Sequence, residues 1–362
     1  MIPTRLLALS LFATALAAQA DPISPIGFGA AEASSSNPNP FGVTEPLARY
    51  LQIHEDLPAQ PFTLQGLAWR RNADGESYRG YGMELDLRIS IPLTTSAAPS
   101  ATFTANHGRV VSQAVARRRV DFPASPPART MPQGFDLRVP FDVPFVVSTG
   151  RVCWEVQIHD RDNAAAVHFD QVAPGNGNAN PLPAVLTFGQ GCVATGRSTP
   201  FQVGGGASFD WAAGTARMSF SADTGPANSV AIAVVGFDNQ QWAGLPLPLP
   251  VPTSSGGPSG PCFVHNDVVL TLFGRTSAIG TFSTPSLTIE LRPELHGATL
   301  FHHVWALDPQ ANGFGLVTTD GMGRQLIAPY ATPAVSLVGV RGSLATTGSV
   351  NTGGGLVTRF VM

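Results

Sequence analysis

Alternating apolar and polar positions are the dominant pattern of this chain. The clearest case is residues 83–91, where five apolar side chains face one way and four polar side chains face the other. A strict period of two predicts a β-strand with one buried face. After the first twenty residues, no apolar period of a helix persists for ten residues. The pattern therefore predicts an all-β protein.

Further apolar or alternating segments are separated by turns rich in glycine, proline and asparagine, which is typical of antiparallel sandwiches. In the first half, the other predicted strands are 62–69, 110–116, 135–141 and 152–158. In the second half, they are 216–222, 229–237, 262–273, 286–292, 298–307 and 315–319. Residues 334–340 and 355–361 are predicted as edge strands of the second half. We expect two antiparallel β-sandwich-like domains in tandem.

The segments without alternation set the predicted boundaries. Residues 1–20 combine an early arginine, a short apolar run and the small-x-small sequence Ala18-Gln19-Ala20, which predicts a cleaved secretory signal peptide. The apolar run is too short to span a bilayer. The predicted order is a signal peptide (1–20), an exposed N-terminal segment (21–44), domain 1 (45–172), a linker (173–185) and domain 2 (186–362).

Composition narrows the classes of function. Charged residues make up 12% of the chain and hydrophobic residues 43%, with 38 glycines and 32 prolines, which fits many turns around ordinary cores. All 21 basic residues are arginine, so chemistry that needs a lysine is excluded. With a net charge of −3, the chain is not expected to bind nucleic acid. No segment after the signal peptide is long and apolar enough to predict membrane insertion.

The three cysteines indicate one disulfide. An exported protein permits disulfides, and three cysteines cannot all pair within one chain. Cys153 lies in an apolar, strand-like run and is predicted to be a buried free thiol. Cys192 and Cys262 each follow a glycine-containing loop and form the better pair. No Cys-x-x-Cys motif is present, so neither a thiol-redox motif nor a zinc ribbon is expected.

Two weak binding candidates lie in the first half. Tyr78 and Tyr81 are in a glycine-containing segment before the strand at 83–91, where exposed tyrosines could stack on a sugar or contact a protein. Packing within the loop is the interpretation that we favour. Asp160 and Asp162 have strand spacing and could contribute to a calcium loop. We expect a polar turn there instead, and no metal or other cofactor.

Residues 300–316 predict a strand, a tight turn and a second strand. Trp305 is expected to fill the core, while Asp308 and Asn312 are expected to bind backbone N–H groups of the turn. His302 and His303 are adjacent on the strand, so they point to opposite faces and cannot readily share a metal. We expect one packed and one exposed histidine.

No catalytic motif is assembled along the sequence. Glu84 and Asp86 project from one strand face about 7 Å apart, which we interpret as part of a solvated charged row. Ser259 lies in the nearest approach to a hydrolase elbow, but its surroundings are proline-rich. Pro58 stands where a second zinc-binding histidine after His54-Glu55 would be required. We therefore predict no catalytic residues.

Three motifs of the second half resemble those of a known group of proteins. They are Gly191-Cys192 with Pro200, Gly260-Pro261-Cys262, and the stretch 301–318, which carries Trp-x-x-Asp-Pro-x-x-Asn-x-x-Gly-Leu. Residues 185–328 resemble uncharacterised secreted all-β proteins of planctomycete-type bacteria, and residues 46–162 are similar to N-terminal regions of the same kind of protein. The resemblance supports the pairing of Cys192 with Cys262 and implies no particular activity.

Together these observations predict an exported, non-catalytic protein with a structural, surface or binding role. It is expected to be secreted or to lie in the periplasm or at the cell surface. Its expected partner is a carbohydrate or a cell-surface protein. The alternatives are a secreted hydrolase acting on polysaccharide or ester, and a calcium-dependent adhesion module.

Overall fold

Antiparallel strands make up almost the whole fold, which confirms the predicted all-β class. The computed structural model describes residues 20–33, 35–42, 47–73, 76–128, 130–162, 166–172, 185–210, 213–251, 260–327, 334–342 and 344–362. Within these ranges the helices are a single α-helical turn, α1 (Phe103–Asn106), and one 3-10 turn (Pro293–Leu295). Residues 1–19 of the predicted signal peptide, and residues 173–184 of the predicted linker, lie outside them.

Strands from both ends of the chain form three sheets, which we call the first module. Its strands are β1 (Ile23–Ser24), β2 (Ser35–Asn37), β3 (Ala48–His54), β4 (Phe62–Trp69), β5 (Tyr81–Pro92), β6 (His107–Phe122), β7 (Leu137–Val147), β8 (Val152–Arg161), β9 (Phe169–Val172), β24 (Val335–Arg341), β25 (Ser349–Thr352), β26 (Gly355–Leu356) and β27 (Thr358–Val361). The sheet orders are β25-β24-β3-β8-β5-β6, β1-β27-β4-β7 and β2-β9-β26.

The C-terminal strands complete the first module, whereas the sequence placed them at the edge of the second domain. β24 pairs with β3, β26 with β9, and β27 with β4. Val335, Val338 and Phe360 are fully buried among the strands of the first module. Alternation identifies a strand and its buried face, but it carries no information on which strand lies beside it. The assignment of these strands to the second domain is therefore wrong.

The N-terminal segment is also packed into the first module, although the sequence predicted it to be exposed. Phe28 and Phe41 are fully buried, and the ring of Phe41 lies 4.5 Å from that of Trp69. Glu32, within the same segment, is fully buried as well. Burial of these two aromatic side chains removes a large apolar area from water, which favours packing of the segment although Ile26 remains exposed.

The core of the first module lies between β5, β8 and β3 on one side and β4 and β7 on the other. Trp69 and Trp154 meet at its centre with ring centroids 5.4 Å apart. Cys153 points to the opposite face of β8, where it is a buried free thiol beside Leu51 and Phe103. The prediction for Cys153 is confirmed.

The strands between residues 185 and 325 form what we call the second module. Its strands are β10 (Val185–Phe188), β11 (Gln202–Asp210), β12 (Thr215–Asp223), β13 (Val230–Gly236), β14 (Gln241–Trp242), β15 (Leu245–Pro246), β16 (Leu249–Pro250), β17 (Phe263–Val264), β18 (Leu270–Arg275), β19 (Phe282–Ser283), β20 (Leu287–Glu290), β21 (Thr299–Leu307), β22 (Leu316–Thr318) and β23 (Gly321–Gln325). The main sheet has the order β10-β23-β21-β13-β18, with β22 also on β21. A second sheet, β11-β12-β19 with β20 on β12, covers one face of it.

The predicted disulfide between Cys192 and Cys262 is present, which confirms the pairing. Both residues are buried in the core cluster of the second module. The backbone N–H of Thr318 lies 3.0 Å from the Cys192 sulfur, so the bridge contacts β22 as well as the two loops that it joins. Among the described residues, no helix is long and apolar enough to cross a membrane.

Candidate functional site at the junction of the two modules

The two tyrosines proposed for binding do not form an exposed aromatic pair. Tyr81 is 6% exposed and packs on Phe122 with ring centroids 5.4 Å apart. Tyr78 is half-buried, and the guanidinium of Arg71 lies 5.4 Å from its ring. The strand β5 begins two residues before the predicted start, so Tyr81 belongs to the sheet and not to a loop. Packing, which the sequence favoured over binding, therefore describes Tyr81, although it packs within the sheet and not in a loop.

Asp160 and Asp162 lie in and just beyond the end of β8 and have different partners. Asp160 accepts a hydrogen bond from the Arg161 N–H at 2.7 Å. Asp162 accepts the Gly82 N–H at 2.7 Å and forms an ion pair with Arg119, which lowers the pKa of Asp162. Asp162 thus faces a guanidinium. Across the described ranges, no group of three or more His, Cys, Asp or Glu side chains could hold a metal ion.

Asn312 binds backbone groups of the loop after β21, as expected, whereas the Asp308 carboxylate binds Thr195 in the loop between β10 and β11, so the expectation that Asp308 binds its own turn is wrong. One Asp308 carboxylate oxygen accepts the Thr195 N–H at 2.7 Å. The Asn312 side-chain oxygen accepts the N–H groups of Phe314 and Leu316 at 3.1 and 3.3 Å, while its nitrogen donates to the Leu316 carbonyl at 2.7 Å. These contacts hold the loop against the strand that carries the disulfide contact.

His302 and His303 lie on opposite faces of β21, but both are buried, so the expectation of one exposed histidine is wrong. His302 Nε2 lies 3.1 Å from the Gly204 carbonyl beneath the covering sheet, and burial lowers the pKa of His302 to about 4. His303 Nδ1 lies 2.6 Å from the Asn266 side-chain oxygen. Trp305 donates to His303 Nε2 and is half-buried at the core margin. The covering sheet lies over the His302 face of β21, and Asn266 and His265 lie against the His303 face, so both faces are covered.

Glu84 and Asp86 do not form a solvated row. Glu84 is partly exposed and pairs with Arg117 at 2.7 Å. Asp86 is buried, with His159 Nε2 at 2.6 Å and the Gln113 amide nitrogen at 3.3 Å. The interpretation as a solvated row is therefore wrong for Asp86, because the neighbouring strands β6 and β8 cover it. Ser259 lies outside the described residues.

A serine, a histidine and a glutamate come together in the first module, which the sequence did not predict. Ser90 Oγ lies 2.8 Å from His107 Nδ1, and His107 Nε2 lies 3.1 Å from a Glu155 oxygen. Arg49 pairs with the same carboxylate at 2.9 Å. Ser90 is fully buried, however, and its Oγ also accepts the Gly108 N–H at 3.3 Å. A nucleophile must reach its substrate, whereas this buried arrangement joins β5, β6 and β8.

A pocket lies where the second module meets a loop of the first, and we call it the junction pocket. Its volume is about 390 Å³, within the range of small-molecule sites. The lining residues are Pro127, Ala128, Thr187, Phe188, Gly189, Asn239, Gln240, Leu247, Pro248 and His265. None of these described residues carries a formal charge.

An apolar contact between the modules positions one wall of the junction pocket. Leu186 of β10 is fully buried against Ala73 and Ala128 of the first module, and Phe188 packs beside this cluster. The rings of Phe188 and His265 meet edge to face with centroids 6.1 Å apart. The end of β10 therefore carries both the module contact and an aromatic wall.

His265 supplies a hydrogen-bond acceptor at this wall. Its Nε2 lies 3.3 Å from the Gln190 carbonyl, which can only accept, so the ring proton is on Nε2 and the Nδ1 lone pair is available. Burial lowers the pKa of His265, so the ring is neutral at pH 7. Gly189 has a φ of +76°, and a Cβ there would lie 2.6 Å from Nδ1. Only a residue without a side chain leaves room for this edge of the ring.

Backbone hydrogen bonds hold the polar rim of the junction pocket in place. The Asp238 carboxylate accepts the Gln240 N–H at 2.7 Å, and the Gln240 carbonyl accepts the Leu247 N–H at 2.8 Å. The Gln240 side chain donates to the Asn239 side-chain oxygen at 3.0 Å. Two amide side chains are thus presented together from one fixed loop.

Comparisons with known proteins do not identify a relative. No model of a known protein family matches the chain, and no curated protein matches it. The function is therefore argued from the geometry of the junction pocket and from the chemistry of the residues around it.

Proposed function

We propose that this chain is an exported, non-catalytic binding protein whose ligand site is the junction pocket. The observation that carries the proposal is an uncharged pocket of about 390 Å³ built from residues of both modules. Ligand sites are commonly found at such interfaces, with apolar walls and a few fixed polar groups. The partner is a carbohydrate or a cell-surface protein.

Export is supported by two independent features of the chain. The first twenty residues have the pattern of a secretory signal peptide. The Cys192–Cys262 bridge fits an oxidising compartment, because disulfides persist mainly outside the cytoplasm. The third cysteine, Cys153, is buried and does not compete for this pairing.

The proposal of a non-catalytic role rests on the burial of the one serine–histidine–glutamate arrangement described above. Ser90 is fully buried, and its hydroxyl accepts the Gly108 N–H of β6, so a substrate cannot reach it in this conformation. A secreted hydrolase would need the start of β6 to move away. Assaying the wild type and Ser90→Ala on ester and polysaccharide panels tests this alternative. Cleavage that the substitution abolishes would replace the binding proposal with the hydrolase.

The binding proposal is tested by the adhesion of the full-length protein to bacterial cells and cell-wall polysaccharide. Gln240→Ala removes an amide from the junction pocket, and Gln241→Ala removes the neighbouring exposed amide, which does not line it. We expect at least a tenfold loss of binding for the first variant and none for the second. Equal binding by both variants would refute the role of the pocket.

Calcium titration of the same protein tests the adhesion-module alternative. Asp162 faces Arg119, so we expect neither heat nor a change in melting temperature when Ca²⁺ is added. A stoichiometric calorimetric signal that Asp160→Asn and Asp162→Asn remove would favour that alternative over the junction pocket.

A further inference from the structure

We infer that the ligand of the junction pocket is a neutral saccharide, held with one hydroxyl donating to Nδ1 of His265. This inference rests on the proposed binding function and adds the chemical class of the ligand. It also assigns a role to a histidine that the sequence did not identify.

The lining that the structure describes carries no charge, which disfavours strongly ionic ligands. A bound carboxylate or ammonium would lose hydration on entering the pocket and gain no ionic partner there, and unpaired burial of charge is costly. Two acidic residues of the neighbouring loops, Asp238 and Asp267, bind backbone N–H groups. Asp238, for example, accepts the N–H groups of Gln240 and Gln241 through one oxygen. A neutral ligand is therefore favoured.

The distribution of apolar and polar groups matches a sugar ring. A pyranose has C–H groups on its faces and hydroxyls around its edge, and each hydroxyl both donates and accepts. Phe188, Leu247 and two prolines supply apolar surface. Asn239 and Gln240 supply carboxamides, which also donate and accept. Few other neutral biological ligands combine these requirements in one small ring.

His265 fixes the direction of one hydrogen bond to the ligand, because its free ring nitrogen accepts. Its Nε2–H is used by the Gln190 carbonyl, so Nδ1 can only accept, and the ring lines the pocket beside Gly189, which has no side chain to cover it. The other rings packed against His265 are Phe188, Phe263 and His303, of which His303 is titratable. Protonation of His265 would place a charge on a ring that a neutral ligand shields further from water, and it would convert Nδ1 from an acceptor to a donor, so that the hydroxyl would have to turn and accept.

The experiment uses the full-length protein and an array of immobilised neutral and uronic-acid-containing oligosaccharides, followed by calorimetry of each array hit from pH 4 to pH 8. We expect neutral hits only. Their affinity should fall at least tenfold in His265→Phe and in Gln240→Ala and remain unchanged in Gln241→Ala. In the wild type it should weaken toward acidic pH, whereas His265→Phe should lose this dependence. Melting temperatures report whether His265→Phe is folded, and Gln240→Ala tests the site without altering a buried residue.

The outcomes separate this inference from the broader proposal. Saccharide binding that is insensitive to Gln240→Ala and to pH would overturn the assignment of the ligand to this pocket. Cell binding that requires Gln240 but is not competed by any array saccharide would refute a saccharide as the ligand. The binding function of the junction pocket would then be retained, with a cell-surface protein as the partner. If Gln240→Ala keeps both saccharide binding and cell binding, the saccharide inference and the binding role of the junction pocket are both refuted.

Discussion

Removing the disulfide of the second module should cost a large part of its stability. The bridge joins residues separated by 70 positions, and closing a loop of that length in the unfolded chain corresponds to about 4 kcal/mol at 25 °C. The native contacts agree with a structural role, because both cysteines are buried and the Thr318 N–H lies 3.0 Å from the Cys192 sulfur. We expect Cys192→Ala/Cys262→Ala to lower the free energy of unfolding by about this amount.

The measurement is urea unfolding of the wild type and the double variant, each with and without reductant. Reductant should destabilise the wild type and leave the double variant unchanged, since the remaining Cys153 is a buried free thiol. A loss below about 1 kcal/mol would refute the reasoning, because the loop-closure contribution would then be absent. An equal effect of reductant on both proteins would show that it acts elsewhere.

Three further perturbations test the packing and electrostatics of the first module. Phe41→Ala should lower the free energy of unfolding, measured in urea, by about 3–5 kcal/mol. A change near zero would instead support the prediction that the N-terminal segment is exposed. Burial raises the pKa of Glu32 to about 8, so the free energy of unfolding should fall as pH rises from about 4.5 to 8. Glu32→Gln should show a weaker fall. Parallel pH profiles of the wild type and the variant would contradict this prediction. Burial lowers the pKa of His54 to about 3, so the free energy of unfolding should fall as pH drops from about 6.5 to 3. His54→Gln should reduce this fall in the same pH profile. An equal fall in the wild type and the variant would contradict the prediction.

The sequence predicts individual strands well where one face is buried and the other is polar. The alternation at 83–91 lies within β5, and the segment at 62–69 coincides with β4. Strand prediction from the sequence fails where a strand lacks this contrast between an apolar and a polar face. β3 is buried along its whole length, and β11 contains Gly204-Gly205-Gly206, which carry no apolar side chains to alternate. A strand of this kind becomes visible only when its neighbours are known.

The junction pocket could not be predicted for a related reason. Phe188, Gln240 and His265 belong to separate loops and strands, and none lies in a recognisable motif. Their proximity follows from the pairing of β10 with β23 and from the contact of Leu186 with the first module. Both are long-range contacts, which local patterning does not encode. The buried Ser90–His107–Glu155 arrangement escaped detection in the same way.

The placement of β27 has a consequence for the order in which the protein can fold. This strand follows the second module in the chain, yet it lies between β1 and β4 of the first. As the chain emerges during synthesis, residues 185–325 can pair among themselves, while β1 and β4 still lack the strand that joins them. The N-terminal strands of the first module are therefore made first but cannot complete their sheets until β24 to β27 have been made. Until then their unpaired strand edges favour association with other chains.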